Sequence, residues 1–292
     1  MSTKPRVLGG ANSLERQGES AARGAAASPA MEDLMRLGYV VRGLVYAMMG
    51  LLAFQLAIGR GGATTDTQGA IAALGRTSLG GILLYVVLVG LVGYALWGLV
   101  RAALDPWHKG DDTKGIVERV GFAVSGISYG LLAYATYGLI TAKPAAAQNG
   151  AQAAQTQQTT ASILPNSWGP WVVGIVALII LGVGFSQIVK GLNPHFERQF
   201  EAYALTGSER TWIDRLGRFG TAARGVVFSL VGFFLLLAAI HRDPSLAKGM
   251  DGVLTAVLHQ PSGHFLLGIV ALGLIAFGIY SAMCGFWLRL NR

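Results

Sequence analysis

The sequence predicts an all-α fold, a polytopic transmembrane bundle of six spans arranged as three parallel two-helix repeats around a pseudo-threefold axis. Three observations predict it. The 292 residues are 52% hydrophobic and only 13% charged, with a mean hydropathy of +0.49. Soluble chains carry about twice that share of charge, roughly 25%. The apolar residues gather into six runs of about 20, the length that crosses a ~30 Å hydrocarbon core. A pattern of Arg, Gly and an aromatic residue recurs three times at one internal spacing.

Taken in order, the spans are expected at 37–58, 82–104, 120–140, 171–189, 222–240 and 265–286. Asp105-Pro106 and Asn193-Pro194 close the second and fourth, because proline lacks the N–H that continues a helix and clashes with the preceding turn. Residues 1–30 hold no apolar stretch of signal-peptide length and read as a disordered cytoplasmic tail. The copies follow at 31–107, 115–195 and 211–292. The second includes an outer stretch, 143–165, of Ala, Gln and Thr, expected to be of low complexity and mobile. Phe196, Phe200 and Tyr203 are spaced for a short amphipathic helix at the headgroups, with an ordinary solvated linker as the alternative.

Orientation follows from the basic residues. Only five of the 23 Lys and Arg, namely Arg60, Arg76, Lys143, Arg242 and Lys248, fall on the side away from the termini. Cytoplasmic loops carry the Lys and Arg excess, so both termini are expected in the cytoplasm. The same distribution explains the net charge of +8 without nucleic acid, since no basic patch forms a domain of its own. The lone cysteine, Cys284, leaves no intrachain disulfide, C-x-x-C pair or four-Cys metal site.

The repeat is the strongest signal. Arg36-Leu37-Gly38 is followed by Arg42-Gly43-Leu44-Val45-Tyr46. Arg119-Val120-Gly121 is followed by Ser125-Gly126-Ile127-Ser128-Tyr129, and Arg218-Phe219-Gly220 by Arg224-Gly225-Val226-Val227-Phe228. Among the even-numbered spans, Gly174-Ile175-Val176-Ala177-Leu178 matches Gly268-Ile269-Val270-Ala271-Leu272. Ten and 21 residues before Gly90 and Gly273 stand Gly80 and Gly263, then Gly69 and Gly252. Two spans per copy mean that all copies enter from the same side.

Tyr39, Gly43, Tyr46 and Gly50 share one helical stripe, as do Phe122, Gly126, Tyr129 and Ala133, and Thr221, Gly225, Phe228 and Gly232. Small residues allow close helix approach where lipid supplies no hydrophobic drive. We read Gly43, Tyr46, Gly126, Tyr129, Gly225 and Phe228 as a packing stripe, with Gly43 joining the first two copies. The functional alternative is an aromatic-lined ligand groove.

Arg42 and Arg224 lie six residues, about 9 Å, further along the helix than Arg36 and Arg218. The bland expectation is that they snorkel to cytoplasmic phosphates. The sharper one is an anion or lipid-headgroup site built from Arg42 and Arg224, with Ser125 at the third position. No span contains Asp or Glu, which argues against transport coupled to buried carboxylates. His241, His259 and His264 near Asp243 match no metal signature, and no haem pair, nucleophile elbow or phosphate loop appears. The sequence therefore implies no cofactor, no metal and no enzyme.

At the Arg-x-Gly and Gly-x-x-Tyr/Phe elements and the Gly-Ile-Val-Ala-Leu segments, the chain resembles the domain of unknown function 1206 family over about 31–290. This resemblance implies a bacterial membrane protein of three tandem two-span repeats and no particular activity. Ser125 departs from the arginine of the other copies. The reading that follows is a non-catalytic scaffold or accessory subunit of the bacterial inner membrane, in contact with the bilayer and another membrane protein. The alternative is a small-solute or lipid transport protein with its path along the axis.

Overall fold

The computed structural model describes residues 29–104, 113–141, 151–193 and 207–287. Residues 1–28 of the expected tail and the 196–203 amphipathic segment lie outside them, and residues 29 and 30 open the first helix. The helices are α1 Pro29–Ala57, α2 Thr67–Gly75, α3 Gly80–Leu104, α4 Thr113–Thr141, α5 Ala151–Ile163, α6 Gly169–Leu192, α7 Gly207–His241, α8 Met250–Leu258 and α9 Gly263–Trp287. Six of them, α1, α3, α4, α6, α7 and α9, are long and apolar enough to cross a membrane. The fifth begins far before its apolar run, and Ile213 on that extension packs against Cys284 near the end of α9.

Each copy is a long helix, a short helix and a second long helix. Within the stretch 143–165, expected to be of low complexity and mobile, residues 143–150 lie outside the described residues, and residues 151–163 form α5. Its polar sequence lacks an apolar period, but its place is fixed by neighbours: it touches α2, α6 and α8. The three short helices thus gather at the face opposite the termini. Each turns into the following span through an equivalent bond: Gly80 N–H donates to Thr77 O (2.8 Å), Gly169 to Asn166 (2.9 Å) and Gly263 to Gln260 (2.7 Å). A side chain on any of these glycines would strike the last carbonyl of its short helix, at Gly75, Ile163 or Leu258.

The three most extensive interfaces lie between copies. α3 packs on α4, α6 on α7, and α9 on α1, so the second long helix of each copy meets the first of the next, cyclically. The repeated glycines make these contacts. A Cβ on Gly43 would lie 2.5 Å from Gly278 O, one on Gly126 2.9 Å from Ala95 O, and one on Gly225 2.7 Å from Gly184 O. Gly278, Ala95 and Gly184 each stand 15 residues after the glycine that opens their helix. Gly43 therefore joins the third copy to the first. The expectation that it joins the first two is wrong, because the ring closes end to start, a contact that no local pattern announces.

In the second and third copies the first arginine of the motif also acts between copies, whereas Arg36 pairs with Glu32 on its own helix. Arg119 Nε donates to Ala102 O (2.9 Å) at the end of α3, and Arg218 Nε to Gly191 O (3.2 Å) at the end of α6. The last carbonyls of a helix lack intrahelical partners and carry partial negative charge, so a guanidinium satisfies both needs.

Within a copy the helices also meet, with one exception. α1 packs on α3 and α7 on α9, whereas α4 and α6 share no packed interface among the described residues. The ring runs α6, α7, α9, α1, α3, α4 and opens at a seam between its ends. Gly43→Leu and Gly225→Leu are expected to lower the melting temperature in detergent, each costing on the order of 2–3 kcal/mol from overpacking. Gly121→Leu should leave it unchanged, since a Cβ there meets nothing within 4 Å.

Candidate functional site

The two interior arginines sit on the first helices of copies one and three, one residue before the glycines that seat those helices. This placement fixes their direction. Arg42 on α1 donates from Nε to Ser281 Oγ on α9 (2.9 Å) and from a terminal nitrogen to Tyr94 Oη on α3 (2.6 Å). Ser281 Oγ in turn donates to Tyr39 O (2.9 Å). The Arg42 guanidinium carbon lies 4.8, 5.1 and 5.2 Å from the ring centres of Tyr39, Tyr94 and Phe277.

Arg224 on α7 reaches across the bundle. Its guanidinium carbon lies 4.9 Å from Phe228, 4.9 Å from Phe277 and 5.2 Å from Tyr46. Tyr46 belongs to α1, and α9 stands between α7 and α1 in the ring, so this contact runs through the interior. Phe277 faces both arginines. The snorkelling expectation is thereby corrected: helix rotation, set by the glycine contacts, turns both side chains inward to rings instead of outward to phosphates.

The repeat's aromatic position completes the cluster. Tyr46 packs edge-on to Phe277 (centroids 4.9 Å apart), and Tyr129 lies against Tyr94 (4.4 Å). Electron-rich ring faces attract a guanidinium by about 0.5–2 kcal/mol. Arg101, assigned from sequence only to the basic rim, also belongs here. It is buried, with its guanidinium carbon 4.2 Å from the ring centre of Phe122 and 5.7 Å from that of Trp97. Its position in the last turn of α3 gave no sign of this.

The two arginines differ in how they are held. Neither forms an ion pair with an acid among the described residues. Arg224 Nε is buried and makes no hydrogen bond there. The residue equivalent to Ser281 in the neighbouring copy is Gln187, whose Oε1 is likewise buried and unpaired. Ser125, third in the set, is half-buried on α4.

At the opposite face a cleft of about 520 Å³ opens between the end of α1, α5 and α8, lined by Thr64, Gln157, Lys248, Asp251 and Thr255 among others. The Thr64 and Thr255 hydroxyls share a hydrogen bond (2.7 Å). On this face His241 and His259 each turn Nδ1 to a carbonyl of their own helix, Leu237 O (3.0 Å) and Thr255 O (2.8 Å). Among the described residues no cluster of His, Cys, Asp or Glu could hold a metal.

Six apolar spans in three tandem copies define a multi-pass helical membrane protein. A family model described as "Domain of Unknown Function (DUF1206)" matches the chain three times, at residues 37–105, 120–193 and 219–287. The chain belongs to that family. It is also similar to the "Uncharacterized protein YxxB" of Bacillus subtilis, 31% identical over 259 residues that cover 89% of this chain and 92% of the relative. No solved structure matches.

Tyr94→Phe is expected to destabilise the protein by about 1.5–3 kcal/mol, the range for a hydrogen bond to a charged group. Tyr134→Phe, at an exposed position on α4, should stay within about 0.5 kcal/mol. Thermal unfolding of the two variants in one detergent checks the difference.

Proposed function

We propose that the protein is a non-catalytic accessory or scaffold component of the bacterial inner membrane, with both termini in the cytoplasm. In this reading its interior holds an anionic group between Arg42 and Arg224. The observation that carries the proposal is Arg224: a half-buried side chain whose guanidinium is faced by Tyr46, Phe228 and Phe277, and whose buried Nε makes no hydrogen bond among the described residues.

The physical argument is one of cost. A charge at membrane depth costs about 2.5–3.5 kcal/mol even on the lenient scale, and ring faces offset only part of that. A bound anion would supply the charge-assisted hydrogen bonds that a guanidinium is shaped to make. The lopsided distribution of Lys and Arg supports placing this site in the cytoplasmic half, and the Bacillus relative supports the bacterial setting.

Holding fits the cluster better than conduction. Phe277 and Tyr46 fill the interior at the level of the arginines, so a solute moving along the axis would have to displace packed rings. Nothing in the cluster offers a nucleophile beside a base, which is why we assign no catalysis.

The Arg42→Gln, Arg224→Gln double variant should lose bound phosphatidylglycerol, read by native mass spectrometry of protein extracted in mild detergent. The wild-type chain should retain it. Equal retention by both would contradict the proposal.

A further inference from the structure

The seam between α4 and α6 breaks the threefold rule in a consistent way. In copies one and three, two contacts close the pair of long helices. Gly38 lies so near α3 that a Cβ would sit 2.8 Å from Tyr94 Cβ, and Gly220 lies against the Phe277 backbone. Gly90 meets Val41 and Gly273 meets Ala223 closely enough that neither could carry a side chain. In copy two the corresponding residues are Gly121 with Val183, and Ile179 with Val124. A Cβ on Gly121 would touch nothing.

Exposure shows the consequence. Val183 is 44% exposed, where Tyr94 and Phe277 are 4% and 3%; Val124 is 58% exposed, where Val41 and Ala223 are 1% and 8%. These side chains sit where the other copies pack against themselves. In copy two, bulky Ile179 replaces glycine and small Val183 replaces a ring. The seam is therefore apolar, and the two helices that border it carry Tyr129 and Gln187, the counterparts of the Tyr46 ring and of Ser281, with Gln187 Oε1 buried and unpaired.

We propose that one anionic glycerophospholipid enters sideways through this seam, its acyl chains lying between α4 and α6 and its phosphate reaching Arg224 and Arg42. This rests on the anion site above and names its ligand and route. Acyl chains match the apolar walls Val124, Leu131, Ile179 and Val183, and the phosphate complements the unpaired guanidinium. A transmembrane helix from a partner or a second copy would cover the walls but bring no anion to Arg224. A free anion would use the arginines but have no need of an apolar side entrance.

The experiment compares four chains by native mass spectrometry after incubation with phosphatidylglycerol or phosphatidylethanolamine, and by thermal stabilisation with inorganic phosphate. Wild type should retain phosphatidylglycerol in preference to phosphatidylethanolamine. Ile179→Gly with Val183→Phe gives copy two the closing residues of copy three. It should retain at least about tenfold less phosphatidylglycerol, a loss equivalent to 1.4 kcal/mol, with its response to inorganic phosphate kept.

Leu178→Phe, on the face of α6 that is exposed in all copies (Val89, Leu178 and Leu272), should behave as wild type. Arg224→Gln should lose both responses. Retention of phosphatidylglycerol by the closed-seam variant together with loss in Arg224→Gln overturns the side entrance and leaves the anion site standing. Retention in Arg224→Gln overturns the anion site itself. If the double variant fails to fold, Val124→Trp plugs the same seam from α4 and is judged by the same outcomes.

Discussion

The structure depends on the close approach of backbones at three equivalent crossings, Gly43 with Gly278, Gly126 with Ala95 and Gly225 with Gly184. In a bilayer, helices gain nothing by hiding apolar surface from each other, because lipid is equally apolar. Association must come from van der Waals contact and from hydrogen bonds, and both grow as backbones near each other. A glycine on one side and glycine or alanine on the other permit that approach. Because each crossing joins one copy to the next, the ring is held by the contacts between copies more than by the hairpins themselves.

The same crossings explain the charged interior. Seating Gly43 and Gly225 in their neighbours rotates α1 and α7 so that the preceding residues, Arg42 and Arg224, face inward. The rings four residues after these arginines, Tyr46 and Phe228, also face the interior. Arg42 then finds Tyr94 and Ser281, whereas Arg224 finds only rings. The asymmetry comes from the copies having diverged: Ser281 in one neighbouring helix is Gln187 in the other. A threefold plan with unequal occupants leaves one guanidinium well held and the other not.

Much of this architecture was legible in the chain, and the failures have physical causes. Six crossings and three copies follow from apolar run length and from the spacing of Arg, Gly and ring residues, which local sequence carries directly. The offsets of Gly69 and Gly252 pointed at the short helices without revealing them, since nine residues are too few to show a period. α5 was hidden more deeply, its Ala, Gln and Thr resembling a linker until its neighbours are known.

The site was half legible. Arg42 and Arg224 stood out by depth, but their direction depends on helix rotation, and rotation depends on partners distant in sequence. The Gly43 to Gly278 contact spans nearly the whole chain, and Arg101 gave no signal because its burial arises from Trp97 and from Phe122 of the next copy. The seam left a trace that only the fold makes readable: Ile179 at the position of Gly90 and Gly273.

The central claim is that copies close on each other cyclically and leave one pair open. Cysteine cross-linking in native membranes tests it most directly. A Cβ on Gly268 would lie 3.8 Å from Ala57 Cβ, and one on Gly174 3.9 Å from Ala239 Cβ, both near the mean Cβ separation of disulfides, about 3.8 Å. Ala57→Cys with Gly268→Cys, and Gly174→Cys with Ala239→Cys, should each form a bond on mild oxidation, while Val124→Cys with Ile179→Cys should not. Failure of the first pair, or ready bonding of the third, would contradict the account.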